Sequence, residues 1–452
     1  MYSVVGMISV DSRTARKRRK DSLPIESEPK RAREMDDFDA GPSYATQSPQ
    51  EEGVLLRPIS ATIFPTSPDA AMWEPEPELP VTRTPSGGSD SRGGDNDAPS
   101  GDESAGKRPD RGGYASVHDG SVTALVYSTD GHFVASGSED HHVIIWDVRG
   151  DNAPQRLEGH EDTVSALAFS SDSRVLASAS HDEHLILWNV ETGEKLQDIV
   201  EAPGVSFHSL AYTPDGSKLV AGSSEGSLYV FNCTTYGLEK TIEKNIGVVT
   251  FIVFSKDGRR MATGGTESVC YIWETAQLDA ESPEMLSVLD GHDGIVCAAD
   301  FSPDGERIIT ACDDGSSRIW KVETGEALVI LHEHTGPVWS VAFSPDGKHI
   351  VSGSSDSTVK VCDSYTGERV LSLDGHDSMI NAVEFSSDGQ FIASASSDNT
   401  VRLWRASDGE CMRTFNEHND NVTSAMFSPD GLMLASGSHD GTVKIRPVSG
   451  PY

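Results

Sequence analysis

Residues 118–147 read HDGSVTALVYSTDGHFVASGSEDHHVIIWD, and this stretch decides the fold. It contains two short runs rich in valine, alanine and aromatic residues, VTALVYS and HFVASGS, and most of a third, HVIIWDV, which ends at residue 148. Their apolar character is nearly continuous, which predicts strands in a sheet covered on both faces. The first two runs are separated by Asp130-Gly131, and this dipeptide predicts a tight primed hairpin turn because it tolerates positive φ angles. No helical stretch of convincing length separates the runs.

The pattern of this stretch returns eight times between residues 113 and 452, at about 42 residues per copy. Each copy has an aspartate in a turn phrase such as Ser-Thr-Asp-Gly, and an acidic residue follows ten positions later. A histidine 22 positions before that acidic residue and a tryptophan six positions after it complete the pattern. Fixed spacings through so many copies indicate a ring of four-stranded blades. Four copies carry the whole set: His118, Ser136, Asp140, Trp146; His160, Ser178, Asp182, Trp188; His292, Thr310, Asp314, Trp320; and His376, Ser394, Asp398, Trp404.

The other four copies depart from this pattern. The third copy has Ala221 and Phe231 at the hydroxyl and tryptophan positions, and the sixth and eighth copies have Cys362 and Arg446 in place of tryptophan. In these copies the blade is inferred from strand pattern and spacing alone. One pair of neighbouring copies has its tryptophans further apart in the sequence than the other pairs. We expect the extra residues to form the acidic loop 276–284.

The two ends of the repeat region suggest how the ring closes. Only residues 447–452 follow the third strand of the last copy, and two of them are prolines. Residues 113–117 precede the first histidine without a blade of their own. We expect this segment to supply the fourth strand of the last blade, because a closed ring leaves no open sheet edge.

The repeated set of residues, with Gly-His at 159–160, 291–292 and 375–376 and Trp-Asp at 146–147, resembles the WD-repeat β-propeller family. The resemblance covers residues 113–452 and implies an all-β, eight-bladed propeller. It also implies that the recurring His, Ser or Thr, Asp and Trp form a structural hydrogen-bond network in each blade. A catalytic triad is the poorer interpretation, since an active site is needed once and the set recurs. The resemblance says little about the pathway.

In characterised members of that family, three positions of each repeat point to the rim of the central channel. They are the residue before the repeat aspartate and the residues three and five places after the repeat histidine. Blades five to seven carry an apolar group there, and the predicted partner-binding residues are Ile295, Cys297, Asp313, Pro337, Trp339, Met379 and Asn381.

Trp339 is the only tryptophan of the repeat region outside the repeated set, and we expect an exposed hot spot there. The alternative is a tryptophan packed into its own blade. No Lys or Arg occupies any of the rim positions, which disfavours a phosphopeptide clamp and favours basic or neutral peptide partners. Six histidines near the rim show no fixed ligand quartet, so we expect no metal and no cofactor: His141, His142, His181, His184, His208 and His439.

Composition narrows the class of protein further. The 452 residues carry a formal net charge of −35, which opposes direct binding to nucleic acid. The six cysteines form no Cys-x-x-Cys pair, as expected of reduced thiols in the cytosol or nucleus. No apolar run approaches the length of a membrane span.

Residues 1–112 are rich in Pro, Ser, Gly and Asp and lack strand or helix periodicity, which predicts a disordered tail. Two basic clusters in this tail resemble a bipartite nuclear-import signal, and they predict a nuclear location, with the cytoplasm as the alternative. The clusters consist of Lys17, Arg18, Arg19 and Lys20, followed by Lys30, Arg31 and Arg33.

Together these observations predict a non-enzymatic scaffold that binds peptide segments on its rim. We expect a monomeric propeller within a nuclear multiprotein complex of the transcription, chromatin or RNA-processing machinery. One alternative is the substrate-recognition subunit of a ubiquitin ligase. A distant alternative is a quinoprotein-like enzyme, since Val-Glu-Thr-Gly at 190–193 and 322–325 faintly resembles the repeat of that class.

Overall fold

The computed structural model describes residues 4–5, 118–150, 152–200, 204–244 and 247–449. Three predictions therefore lie outside the described residues: the disordered tail apart from residues 4–5, the basic import-like clusters and the closing strand at 113–117. Pro203 and Asn245, which replace the repeat histidine in blades three and four, lie outside them as well.

The described chain forms eight antiparallel sheets arranged as the blades of a propeller, which confirms the predicted fold. The strands nearest the axis are β2 (Val122–Tyr127), β6 (Val164–Phe169), β10 (Phe207–Tyr212), β14 (Val249–Phe254), β18 (Val296–Phe301), β22 (Val338–Phe343), β26 (Ile380–Phe385) and β30 (Val422–Phe427). The second strands are β3 (Phe133–Ser138), β7 (Val175–Ser180), β11 (Lys218–Ser223), β15 (Arg260–Gly265), β19 (Arg307–Cys312), β23 (His349–Ser354), β27 (Phe391–Ser396) and β31 (Met433–Ser438).

The third strands are β4 (Val143–Asp147), β8 (Leu185–Asn189), β12 (Ser227–Asn232), β16 (Val269–Glu274), β20 (Ser317–Lys321), β24 (Val359–Asp363), β28 (Val401–Arg405) and β32 (Val443–Pro447). The outer strands are β5 (Gln155–Leu157), β9 (Lys195–Ile199), β13 (Leu238–Glu243), β17 (Met285–Asp290), β21 (Ala327–Leu331), β25 (Arg369–Leu373) and β29 (Cys411–Phe415). The eighth blade has three strands among the described residues. The strand β1 (Val4–Val5) pairs antiparallel with β6.

The loop 275–284 between blade four's third and outer strands holds the extra residues that the tryptophan spacing predicted. A short 3₁₀ helix, Thr275–Asp279, occupies its first half. Leu278 of this helix is 2% exposed and packs into the core between blades three and four. Among the described residues no helix is long and apolar enough to cross a membrane.

Each blade buries its faces against its neighbours. Inner strands are buried along their whole length in blades one to four, whereas the outer strands of blades two, five, six and seven are exposed or partly exposed except for a buried last residue. The core of blade one includes Leu167 from blade two and Met426 and Val443 from blade eight. At this junction the Thr423 hydroxyl donates a hydrogen bond of 3.1 Å to the Val122 carbonyl. The eight sheets therefore form a closed ring, because the last blade packs directly on the first.

The hairpins between first and second strands differ from the primed turn expected at Asp130-Gly131. Only Gly131 has a positive φ, at 71°, and the Gly131 N–H donates to the Ser128 carbonyl at 2.9 Å. The Asp130 carboxylate instead organises the loop by accepting the Ser128 hydroxyl at 2.6 Å and the His132 N–H at 3.0 Å. The aspartate is therefore required for its side chain and the glycine for its φ. In blade two Ser173 takes the glycine position with a φ of 59°.

Candidate functional site

The repeated set of residues forms the hydrogen-bond network that the resemblance implied, a tetrad in each of four blades. In blade one the Trp146 indole donates to Ser136 Oγ at 2.8 Å, and Ser136 Oγ lies 2.7 Å from His118 Nε2. His118 Nδ1 lies 3.1 Å from the Asp140 carboxylate. Because a carboxylate only accepts, Nδ1 carries the proton and Nε2 accepts from the serine hydroxyl. The same contacts recur within 2.7–3.1 Å in blades two, five and seven.

The aspartate of each tetrad is held as a carboxylate. Burial on its own would raise the pKa of Asp182, but hydrogen bonds from His160 and two backbone N–H groups lower that pKa to about 2. The pKa values of Asp140, Asp314 and Asp398 are lowered in the same way. These carboxylates therefore stay charged at physiological pH and fix the orientation of the histidines.

Blades six and eight keep the histidine, hydroxyl and aspartate but replace the tryptophan. In blade eight the Arg446 guanidinium donates to Ser436 Oγ at 2.6 Å and so takes the place of the indole N–H. It also lies 4.5 Å from the centre of the Phe415 ring and 2.5 Å from the Glu417 carboxylate. In blade six Cys362 is buried, and His334 Nε2 still lies 2.8 Å from Ser352 Oγ. The network thus tolerates the loss of tryptophan, and in blade eight arginine supplies the donor in its place.

Blades three and four depart furthest. In blade four the Trp273 indole donates to Thr263 Oγ1 at 2.9 Å, and residue 245 at the histidine position lies outside the described residues. In blade three Ala221 and Phe231 are both buried, so an apolar pair replaces the polar one.

The tetrad geometry resembles that of a catalytic triad, but the serine is inaccessible. Ser136 is 0% exposed, and its oxygen is shared between the Trp146 indole and the His118 imidazole. A nucleophile must reach its substrate, and this hydroxyl is enclosed in the blade. The tetrads therefore stabilise the blades and offer no nucleophilic site.

The three sets of rim positions differ in accessibility. All eight residues in the fifth place after the repeat histidine are at most 7% exposed. Four of them donate a hydrogen bond to a backbone carbonyl of the next blade, and these residues are Thr123, Ser165, Asn381 and Thr423. The fifth place therefore joins blades, and the other two sets form the solvent-facing part of the rim.

Trp339 is buried, which differs from the exposed indole expected from the sequence. Its exposed fraction is 6%, and its indole N–H donates to Ser355 Oγ of the same blade at 2.6 Å. Trp339 and Cys297, which is 1% exposed, form a small apolar cluster with Ile295 packed against it. The alternative of a tryptophan packed into its own blade therefore describes the indole better. The cluster does join neighbouring blades five and six, as the repeat register predicted.

Three of the predicted apolar rim residues are exposed to solvent in part. Met379 of blade seven is 36% exposed, and Ile295 and Pro337 are partly exposed. Asn381 is 1% exposed and links blade seven to blade eight, because its amide donates to the Val422 carbonyl at 2.8 Å.

Asp313 lies at the edge of the same cluster. Its carboxylate accepts the Ile295 N–H at 2.6 Å, and a Cβ atom on Gly294 would overlap it. Burial raises the pKa of Asp313 above its ordinary value. Among the described residues no Lys, Arg or His side chain forms an ion pair with this carboxylate. The repeat register places the predicted rim residues on neighbouring blades five to seven. We call the following set the blade five–seven patch: Ile295, Cys297, Asp313, Pro337, Trp339 and Met379.

One set of side chains in the described region has the composition of a three-ligand metal site: His292, Cys312 and Asp314. These groups are already bonded to one another, since the Asp314 N–H donates to Cys312 Sγ at 3.3 Å and the carboxylate lies 3.1 Å from His292 Nδ1. Burial raises the pKa of the Cys312 thiol, which opposes the thiolate that a metal would need. Two members of this set, His292 and Asp314, therefore belong to the blade five tetrad, and Cys312 stands two residues before the aspartate, where most blades have serine. All six cysteines are unpaired, and four are buried.

Sequence reasoning missed an arginine that joins blades five and six. The Arg307 guanidinium donates to the Gly347 carbonyl at 3.0 Å and to Ser364 Oγ at 2.9 Å, and it lies 4.1 Å from the centre of the Tyr365 ring. Arg307 is 8% exposed. No repeat position marks it, because its partners come from another blade.

Comparison with known proteins gives the same result for the repeats. The model of the WD domain, G-beta repeat, matches residues 115–147, 152–189, 198–232, 239–274 and 283–321. The model of the IFT122 first beta-propeller matches residues 337–449.

Curated relatives match only part of the chain. The guanine nucleotide-binding protein subunit beta of Zea mays is 33% identical over 122 residues, which is 26% of this chain and 32% of that protein. The corresponding subunit of Nicotiana tabacum is 31% identical over 121 residues, with the same two shares. The chain thus spans about a third of the length of these relatives. The crystal structure of the computationally designed Ika8 protein is similar with a TM-score of 0.63 and 26% identity, covering 73% of this chain and 97% of that one.

A closed ring of antiparallel blades with a solvent-facing rim defines a β-propeller of the kind that generally serves as a protein-interaction scaffold. The repeat matches and the tetrads place it more narrowly. The chain belongs to the WD-repeat β-propeller family.

Proposed function

We propose that this protein is a non-enzymatic scaffold whose blade five–seven patch binds an extended segment of a partner protein. The observation that carries the proposal is the carboxylate of Asp313. It is half-buried, lies beside the Cys297–Trp339 cluster and has no cationic partner among the described residues. A carboxylate in that position gains most from a cation that excludes water as it binds.

The surroundings of Asp313 define the partner segment more closely. Ile295 packs against the cluster and its N–H donates to the carboxylate, and the repeat register places the partly exposed Pro337 and the exposed Met379 on the next two blades. Methionine adapts its shape readily, and apolar side chains beside a charged group are typical of interface anchors. The segment should therefore present a lysine or arginine next to an aliphatic or aromatic residue. The net charge of −35 favours the same basic partners and opposes nucleic acid.

The proposal can be tested with a peptide array of fixed length and hydrophobicity whose members differ only in charge. Binding of the untagged full chain to the strongest basic peptide is then measured by fluorescence anisotropy. Asp313→Asn keeps the shape of the side chain but removes its charge, and Met379→Gln replaces the exposed apolar side chain with an uncharged polar one of similar length. We expect each to weaken binding at least about tenfold, a loss of about 1.4 kcal/mol.

The matched control is Asn421→Glu, which adds a charge at the third place of blade eight, away from the patch. Equal binding of acidic and basic peptides, or full affinity in Asp313→Asn, would contradict the proposal. Trp339→Asp is a poor test because this side chain is buried and its loss would disturb the fold itself.

We further propose that the scaffold acts in the nucleus, within a multiprotein complex. The support is the spacing of the two basic clusters, Lys17–Lys20 and Lys30–Arg33. Replacing Lys17, Arg18, Arg19 and Lys20 with alanine in a fluorescent fusion of the full chain should shift it to the cytoplasm. Alanine at Arg57, Arg83 and Arg92 removes tail charges outside the clusters and serves as the control. Nuclear accumulation that persists without the first cluster would contradict this location.

A further inference from the structure

Two histidines lie side by side at the rim, between blades two and three. His181 directly precedes the tetrad aspartate of blade two, and His208 occupies the fifth place on β10 of blade three. Their ring centroids are 4.9 Å apart and the ring planes are tilted by 53°. His208 is 6% exposed, and His181 is partly exposed.

Each ring has a buried nitrogen with no hydrogen-bond partner among the described residues: Nε2 of His181 and Nδ1 of His208. In the complete tetrads, by contrast, both histidine nitrogens are bonded, as in His160. A buried polar atom without a partner costs about 1–3 kcal/mol. Two such nitrogens on adjacent rings therefore indicate that something else satisfies them.

His208 does not bond to the next blade, as the residues at the same position of other blades do. Where Thr123 and Ser165 donate to the next blade from the fifth place, blade three uses the following residue, because the Ser209 hydroxyl donates to the Val249 carbonyl at 2.9 Å. The imidazole of His208 instead contacts Ser206 Oγ through Nε2 at 3.1 Å. That contact orients the ring and leaves Nδ1 unbonded.

We propose that His181 Nε2 and His208 Nδ1 form a binding site for a zinc ion on the rim. Imidazole nitrogen is a preferred ligand of Zn²⁺, which usually takes four ligands in tetrahedral geometry. No third His, Cys, Asp or Glu of the described region joins this pair in a three-ligand group. Two coordination positions therefore stay open for water or for a donor atom of a bound segment. The site is independent of the binding proposed for the blade five–seven patch.

The test uses the untagged, metal-free full chain titrated with Zn²⁺ by calorimetry and with Co²⁺ by absorbance. We expect saturable binding of one equivalent and visible Co²⁺ bands without thiolate-to-cobalt charge transfer. His181→Gln and His208→Gln should each weaken binding at least about tenfold. Far-UV circular dichroism and urea midpoints confirm that each variant is folded. His181→Gln changes a partly exposed residue and so keeps the test valid if His208→Gln does not fold.

Two control variants address the other candidate ligands. Cys312→Ser removes the thiol of the His292, Cys312 and Asp314 set, and His439→Gln removes a rim histidine of blade eight. Both should bind Zn²⁺ as the unchanged chain does. The absence of saturable binding, full binding in folded His181→Gln, or loss of binding and of a thiolate band in Cys312→Ser would each overturn the proposal.

Discussion

Ser394→Ala tests how much a tetrad stabilises its blade. The Ser394 hydroxyl of blade seven is 0% exposed and bonds two groups: the Trp404 indole N–H and His376 Nε2, both at 2.8 Å. Alanine removes a single oxygen and leaves both groups buried without a partner. Each orphaned group costs about 1–3 kcal/mol, so the free energy of unfolding should fall by about 2–6 kcal/mol. For a cooperative unit of about 330 residues a loss of 3 kcal/mol corresponds to a melting temperature lower by about 4 °C.

A second substitution separates the two bonds. The Trp404→Phe variant lacks the indole N–H. In this variant Ser394→Ala leaves only His376 Nε2 without a partner, so it should lower the free energy of unfolding by about 1–2 kcal/mol less than it does in the unchanged chain. Blade three already contains this apolar combination, as Ala221 with Phe231, and buries both residues.

Equilibrium urea unfolding followed by far-UV circular dichroism measures these free energies without relying on tryptophan fluorescence. Ser407→Ala, at an exposed turn of the same blade, is the control. If Ser394→Ala unfolds within about 0.5 kcal/mol of the unchanged chain, the tetrad does not stabilise the blade. The same loss with and without Trp404 would show that the indole bond contributes nothing.

Three further predictions concern blade eight, the ring closure and pH. Arg446→Leu should lower the free energy of unfolding by about 1–3 kcal/mol because Ser436 loses a charged donor. Arg446→Trp restores an N–H donor and should cost less. Equal losses of the two variants in urea unfolding would contradict the role of Arg446 as the hydrogen-bond donor to Ser436. Thr423→Val removes the bond from blade eight to blade one and should cost about 1 kcal/mol with faster amide exchange in β30; unchanged exchange would contradict it. Burial and the Arg446 charge lower the pKa of His418 in the folded protein to about 4, against about 6.5 in the unfolded chain. The contribution of neutral His418 to the free energy of unfolding is therefore complete above pH 6.5 and is lost as the pH falls towards 4. The pKa of Asp182 is about 2 in the folded protein and about 3.9 in the unfolded chain, so its contribution to stability is lost as the pH falls from 3.9 towards 2. The melting temperature should therefore fall steadily on acidification. A rise in melting temperature between pH 7 and pH 4.5 would refute the lowered pKa of His418.

The repeat made most of the fold predictable. The fixed distances from histidine to aspartate to tryptophan identified eight blades, and the structure finds the contacts in four complete tetrads. Such contacts lie within one blade, so their spacing along the chain is constant and can be read directly. Arg446 shows the limit of this reasoning, because the sequence indicates a lost tryptophan and the structure finds a guanidinium in the same role.

The rim was predicted less well, because its accessibility depends on contacts between blades. The repeat register placed Cys297 and Trp339 on neighbouring blades, but their packing together buried the indole. Asn381 was assigned to the rim by the same register, and its amide is used to bind blade eight.

The sequence by itself determined the number of blades, their strand order and the residues of each tetrad, since all of these follow from local spacing within a repeat. Only the tertiary structure decided which rim side chains stay exposed, which carboxylate lacks a cation and which two histidines meet. Those outcomes depend on how the side chains of one blade pack against those of the next. The repeat spacing gives the position of a side chain in its blade, but not its exposure or its bonding partner.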